Sequence, residues 1–140
     1  MYAVLIPGYH ACFAKVQGLS AAVLKTYEPP SIQQMPWMYS MPDEGSFAPL
    51  GDTWEVDAEH THRLLHRLVL GSALSEEVAI RAQFYIDAIP NSVRADPTLG
   101  HRIAGHARIV GYAFTIGKIA STPFYALDFR SEAVITQGQA

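Results

Sequence analysis

A single cysteine, Cys12, occurs among 140 residues, so no disulfide can form within the chain. Such usage fits a reducing compartment, and the expected location is the cytoplasm. Charge is also scarce. Charged residues make up 16%, the net charge is −3, and the ten Lys and Arg residues are scattered. General nucleic-acid binding and an anionic-membrane surface are therefore not expected, because both need clustered cations. No apolar run approaches the length of a membrane span. The start of the chain has no basic stretch, and the apolar run Tyr2 to Ile6 is stopped by Pro7-Gly8, so no signal peptide is expected. Phosphate loops, metal knuckles, catalytic-triad signatures and H-E-x-x-H are all absent. What remains is a hydrophobic content of 49%, which excludes a disordered class. A chain of this length forms one globular domain, residues 1–140, and can bury a core without a disulfide or a metal.

The most structured stretch is Asp52 to Gly71. Asp52 and Glu55 resemble a capping box, and Gly71 follows the last apolar residue, as a helix-ending glycine does. Trp54, Ala58, Thr61, Leu65 and Leu68 recur at helical spacing, which predicts an amphipathic helix. A second stripe, Glu55, Glu59, His62 and His66, projects from another side of that helix. Glu59, His62 and His66 could offer three ligands to a divalent metal. Glu59-x-x-His62 matches half of a di-iron carboxylate motif, but no second E-x-x-H accompanies it. The plain alternative is a solvated helix face carrying a Glu59–Arg63 ion pair.

Around this stretch, Tyr2 to Ile6 reads as a buried strand and Tyr9 to Glu28 as a helix ended by Pro29-Pro30. Ser31 to Gly51 is the least regular region, with three prolines and two glycines, yet it carries Met35, Trp37, Met38, Tyr39 and Met41. Such a loop either lids a pocket, drapes over the core or forms a homo-oligomer contact through Met35 to Met41. Ser75 caps a helix with Glu76 and Glu77 in its first turn and Val78, Ala82, Tyr85 and Ile89 as its seam, ended by Pro90. The short link before it would make this helix an antiparallel partner of the histidine helix.

Asp96-Pro97 reads as another helix start, running toward Thr122. Its near-continuous apolar content suits a central helix with His106 in its seam and Tyr112 beside it. The competing assignment is a strand, because RIVGYAFTI is rich in β-formers and four glycines weaken a helix. Phe124 to Phe129 alternates as a strand, with Ala133 to Thr136 extending or pairing with it.

The expected fold is therefore α+β, three to four helices packed with a small sheet from the N- and C-terminal strands. The leading functional expectation is a small-molecule pocket lined by Trp37, Tyr112, Glu59, His62, His66 and His106. Two alternatives stand beside it. One is a metal-dependent or acid–base enzyme using Glu59, His62 and His66. The other is a homo-oligomeric structural protein.

Overall fold

The computed structural model describes residues 1–20, 23–25, 35–49, 58–72 and 75–137. It contains two helices, α1 (Tyr2–Phe13) and α2 (Glu76–Arg94). Its strands are β1 (Leu24–Lys25), β2 (Trp37–Pro49), β3 (Ala58–Gly71), β4 (Gly105–Ile119) and β5 (Thr122–Gln137). The strands form one sheet in the order β1-β2-β3-β5-β4. β1 runs parallel to β2, and every other neighbouring pair is antiparallel. The expectation of three to four helices on a small terminal sheet is overturned: a long-stranded sheet dominates, and two helices cover it.

The largest correction concerns the histidine stretch. Residues 58–71 are the central strand β3, paired on both sides by β2 and β5. Burial alternates along it, with His62, Leu64, His66 and Leu68 inside and Arg63, Leu65 and Arg67 only half-buried. That is the two-residue period of a strand. Positions four apart share a face in both a helix and a strand, so His62 and His66 suited either. The three-residue step from Glu59 to His62 is what separates the two, and in a strand it puts these residues on opposite faces. The predicted caps Asp52 and Glu55 lie outside the described residues. With β3 extended, the predicted helix hairpin with α2 does not exist.

Three other segments change class. Tyr2 to Ile6 is the first part of α1, which runs through Pro7, where one intrahelical hydrogen bond is lost. Gly8 follows, and a Cβ there would sit 2.9 Å from Leu99 Cβ, so a bare backbone lets the segment after α2 pack onto α1. The predicted Tyr9 to Glu28 helix accordingly ends at Phe13. Trp37 to Met41, expected in an irregular loop, forms the start of β2 between β1 and β3. The prolines of this region are accommodated by position. Pro42 sits beside a bulge ending at Gly45, and Pro49 closes the strand. Finally, Gly105–Ile119 is strand β4 and not a central helix, so the argument placing His106 in a helical seam falls.

Other expectations hold. Ser75 caps α2 by accepting from the Val78 N–H at 3.2 Å, and Val78, Ala82, Tyr85 and Ile89 are its buried seam. The expected stop at Pro90 does not hold, because the helix continues through it to Arg94. β5 contains Phe124 to Phe129 and extends through Ala133 to Thr136.

Residues directly opposite each other in the register share a face of the sheet. One row runs Ser40, His66, Phe129, Tyr112, and the next runs Met38, Leu68, Leu127, Phe114. Helix α1 lies on this face. The Tyr2 ring meets His62 edge-on at 5.4 Å, and the Tyr9 and Phe13 rings lie 4.8 and 5.1 Å from His66. Buried apolar side chains from both helices and from β2, β3, β4 and β5 form one contiguous cluster, with the partly buried Leu24 of β1 packed against it. No helix among the described residues is long and apolar enough to cross a membrane.

Candidate functional site

The six residues singled out from the sequence are dispersed. His62 and His66 share the face beneath α1, as their spacing requires. Glu59 belongs to the opposite face by the alternation of β3. His106, in register with Val134, is exposed near the start of β4. Trp37 lies in register with Val69 on the face opposite His66 and is 3% exposed, stacked on Tyr39 at 5.4 Å. Tyr112 shares the row of His66 but sits at the sheet edge, 56% exposed. Among the described residues no group of three His, Cys, Asp or Glu side chains is placed to hold a metal. Glu59, His62 and His66 therefore do not converge.

His66 instead belongs to a buried chain of hydrogen bonds. Its Nδ1 lies 2.7 Å from Ser40 Oγ and its Nε2 lies 2.7 Å from Ser131 Oγ. Ser40 Oγ is also 2.9 Å from His10 Nε2. Each hydroxyl has one proton, and each neutral imidazole has one N–H and one acceptor nitrogen. The Ser40 hydroxyl therefore donates to one imidazole and accepts from the other, or accepts from both. Burial pulls His10 down to about 4. Burial, with His10 nearby, pulls His66 down to about 3, so both are neutral at ordinary pH. His62 is also lowered, by burial and by neighbouring His60. The Tyr9 hydroxyl lies close to Ser131 without a hydrogen bond of good geometry, and burial raises it to about 12.

This set resembles a nucleophile and base by composition only. Ser40 is 1% exposed, and Ser131 and His66 are 0% exposed, so nothing outside the chain can reach them. A nucleophile and its base need a substrate within hydrogen-bond reach. The chain's function is to tie α1 to β2, β3 and β5. Sequence reading missed His10, Ser40 and Ser131 in this role. The available signal was the small polar residue in the alternation Phe129, Ser131, Ala133.

The other face has its own polar cluster. Arg67 makes a two-pronged pair with Asp128 at 2.7 and 2.8 Å, and its remaining nitrogen donates to the Tyr39 hydroxyl at 3.2 Å. Thr115 Oγ1 donates to Asp128 at 2.7 Å, and the guanidinium lies 5.7 Å from the centre of the Phe124 ring. The Asp128 hydrogen bonds raise the Arg67 value further and keep it charged. These groups satisfy one another and offer nothing open to a ligand. An open groove of about 380 Å³ between the end of α1 and α2 is lined by Lys15, Phe84, Asn91 and Asp96, without a converging set of reactive groups.

The feature left unsatisfied by the fold is on β4. Tyr112, Phe114 and Ile116 are 56%, 45% and 66% exposed, and they alternate along one face of the strand. Val110, at the bulge between Ile109 and Gly111, is 48% exposed. β4 is an edge strand, hydrogen-bonded to β5 on one side. Its outer row of N–H and C=O groups has no strand neighbour among the described residues. Natural edges are usually blunted by charge or proline along their length. Here no charged residue and no proline occurs between Ile109 and Gly117.

Compared with models of known protein families, the chain matches none, and no curated protein matches it closely enough to count as a relative.

Proposed function

We propose that this chain is an interaction domain, and that its working surface is the free edge and exposed apolar face of β4. The observation carrying this reading is the placement of Tyr112, Phe114 and Ile116 together on an edge strand. Single exposed apolar residues are ordinary, whereas a contiguous row of them marks a contact surface. An edge strand adds backbone hydrogen bonds to that row. Together they suit capture of an extended strand from another chain, with alternate side chains giving specificity.

Of the three functional classes expected from the sequence, this is the structural and interaction class on a new surface. The Met35 to Met41 segment first expected to carry it is largely interior: Trp37, Met38, Tyr39 and Ser40 are all buried within β2. Small-molecule binding at the sequence-derived residues has weaker support, because Trp37, His66 and Tyr112 occupy separate environments.

The test is a titration of isotope-labelled protein with a short peptide alternating valine and threonine, followed by NMR. Amide shifts should be confined to β4 and should vanish in the Phe114→Lys variant. Shifts elsewhere, or none on β4, contradict the reading.

A further inference from the structure

We infer that the strand added to β4 is the β4 of a second copy, lying antiparallel with a two-fold axis at Phe114. The inference rests on the edge-strand reading above and specifies its partner.

The first observation is the sequence of the exposed segment, Gly111-Tyr112-Ala113-Phe114-Thr115-Ile116-Gly117. It is close to a palindrome in side-chain size. Antiparallel pairing about Phe114 sets Phe114 against itself, Tyr112 against Ile116, Ala113 against Thr115 and Gly111 against Gly117. Every large residue then meets a large one on the same face, and every small residue meets a small one on the other. A two-fold contact needs this self-complementarity.

The second observation is charge. Arg108 and Lys118 are the only residues of β4 with a fixed charge. In this register Lys118 falls opposite Val110 and Arg108 falls beyond Ile119, so no like charges oppose each other. Arg108 already lies 3.5 Å from Glu132 of its own chain. Pairing one residue out of this register, about Ala113, would set Arg108 against Lys118, which like-charge repulsion disfavours.

The third observation is Gly111. A Cβ built there meets nothing within 4 Å, and its φ is not in the left-handed region. Gly111 closes the β4 bulge, and no described residue of its own chain crowds the space where its side chain would be. The open space beside it leaves room for a second backbone at the edge. Gly117 differs, because a Cβ there would strike the Phe124 ring at 2.6 Å.

The fourth observation is the other edge of the sheet. Among the described residues β1 has two residues and offers a head-to-tail β4-to-β1 contact little ladder. Among them, β4 against β4 gives both partners the long one. Three partly exposed large side chains from each copy make an interface smaller than the stable range, of the weak and transient kind. The dimer should therefore dissociate on dilution.

The experiment combines sedimentation equilibrium across a wide concentration range with oxidative cross-linking of cysteine variants. The wild-type mass should double with concentration, and Phe114→Lys should remain a monomer with unchanged circular dichroism. Phe114→Cys should cross-link to a dimer readily, because the residue faces its own copy, while Tyr112→Cys should not. Cys12 is buried and does not compete. A monomer at every concentration overturns the inference, as does a dimer that survives Phe114→Lys. Equal cross-linking at Tyr112→Cys and Phe114→Cys overturns the register. If the chain stays monomeric while the valine–threonine peptide still docks on β4, the second copy is wrong and the edge-strand reading stands. If neither associates, both fall.

Discussion

Complete burial of His66 between two serines, without a carboxylate in its shell, commits the fold to neutral imidazoles. The groups facing His66 and His10 are Tyr9, Phe13, Ser40 and Ser131, and none offers a negative charge at neutral pH. Both histidines have folded values below the ordinary 6.5, at about 4 and about 3. The unfolded chain therefore binds more protons than the folded one between those values and 6.5. Stability is full above about pH 6.5 and falls as pH drops toward the folded values. At pH 5 each histidine should cost on the order of 2 kcal/mol relative to pH 7. Urea unfolding at the two pH values checks this, and His10→Gln should remove a large part of the difference. A second prediction concerns Ser40→Ala. It strips partners from His10 and His66 together and should destabilise by about 2 kcal/mol, measured by the same unfolding experiment. Asp128→Ala should cost more, about 3 kcal/mol, because it leaves the Arg67 guanidinium without its carboxylate in a largely buried site. A thermal melt showing no loss for Asp128→Ala would contradict the pairing.

At the scale of the element, legibility followed the kind of signal each segment carries. α2 was readable because its cap, its first-turn glutamates and its seam are all local. β5 was readable because aromatic and aliphatic residues alternate strictly. β3 was not, because its leucines favour helix and its paired histidines suit both periods. Its extended state is fixed by neighbours on both sides, which a single segment does not reveal. α1 was missed because Pro7-Gly8 reads as a stop, whereas packing against the sheet and against Leu99 outweighs the lost hydrogen bond. The turn between β4 and β5 gives a direct test. Ala120 and Ser121 both have positive φ, 50° and 68°, as a two-residue type I′ turn requires. Neither residue favours that region. Replacing the pair by Asn-Gly should raise the unfolding free energy by about 1–2 kcal/mol in a denaturant titration.

For the molecule as a whole, α1 covers the His66 face in the middle of the sheet, while Tyr112, Phe114 and Ile116 of β4 stay exposed. That asymmetry explains why the candidate surface was illegible. An apolar run normally signals burial, so the stretch from Asp96 to Thr122 reads as a central helix, with a strand over Arg102 to Ile119 as the competing assignment. The structure puts Tyr112, Phe114 and Ile116 outside instead, at an edge. The histidine pair was legible only as two residues sharing a face, and the serines and His10 that complete it come from distant segments. Pattern reading could therefore find side chains that stabilise the core but not the exposed face of β4.

Uptake of another strand by the edge of β4 would protect its outward-facing amides from exchange. Amide hydrogen exchange of residues 111–117, measured at low and high protein concentration, tests it most directly. The outward-facing amides of β4 should exchange fast in dilute solution and slow clearly when the protein is concentrated, with β3 unchanged. Exchange along β4 that stays fast at every concentration, with no peptide able to slow it, would mean that the edge takes up no strand.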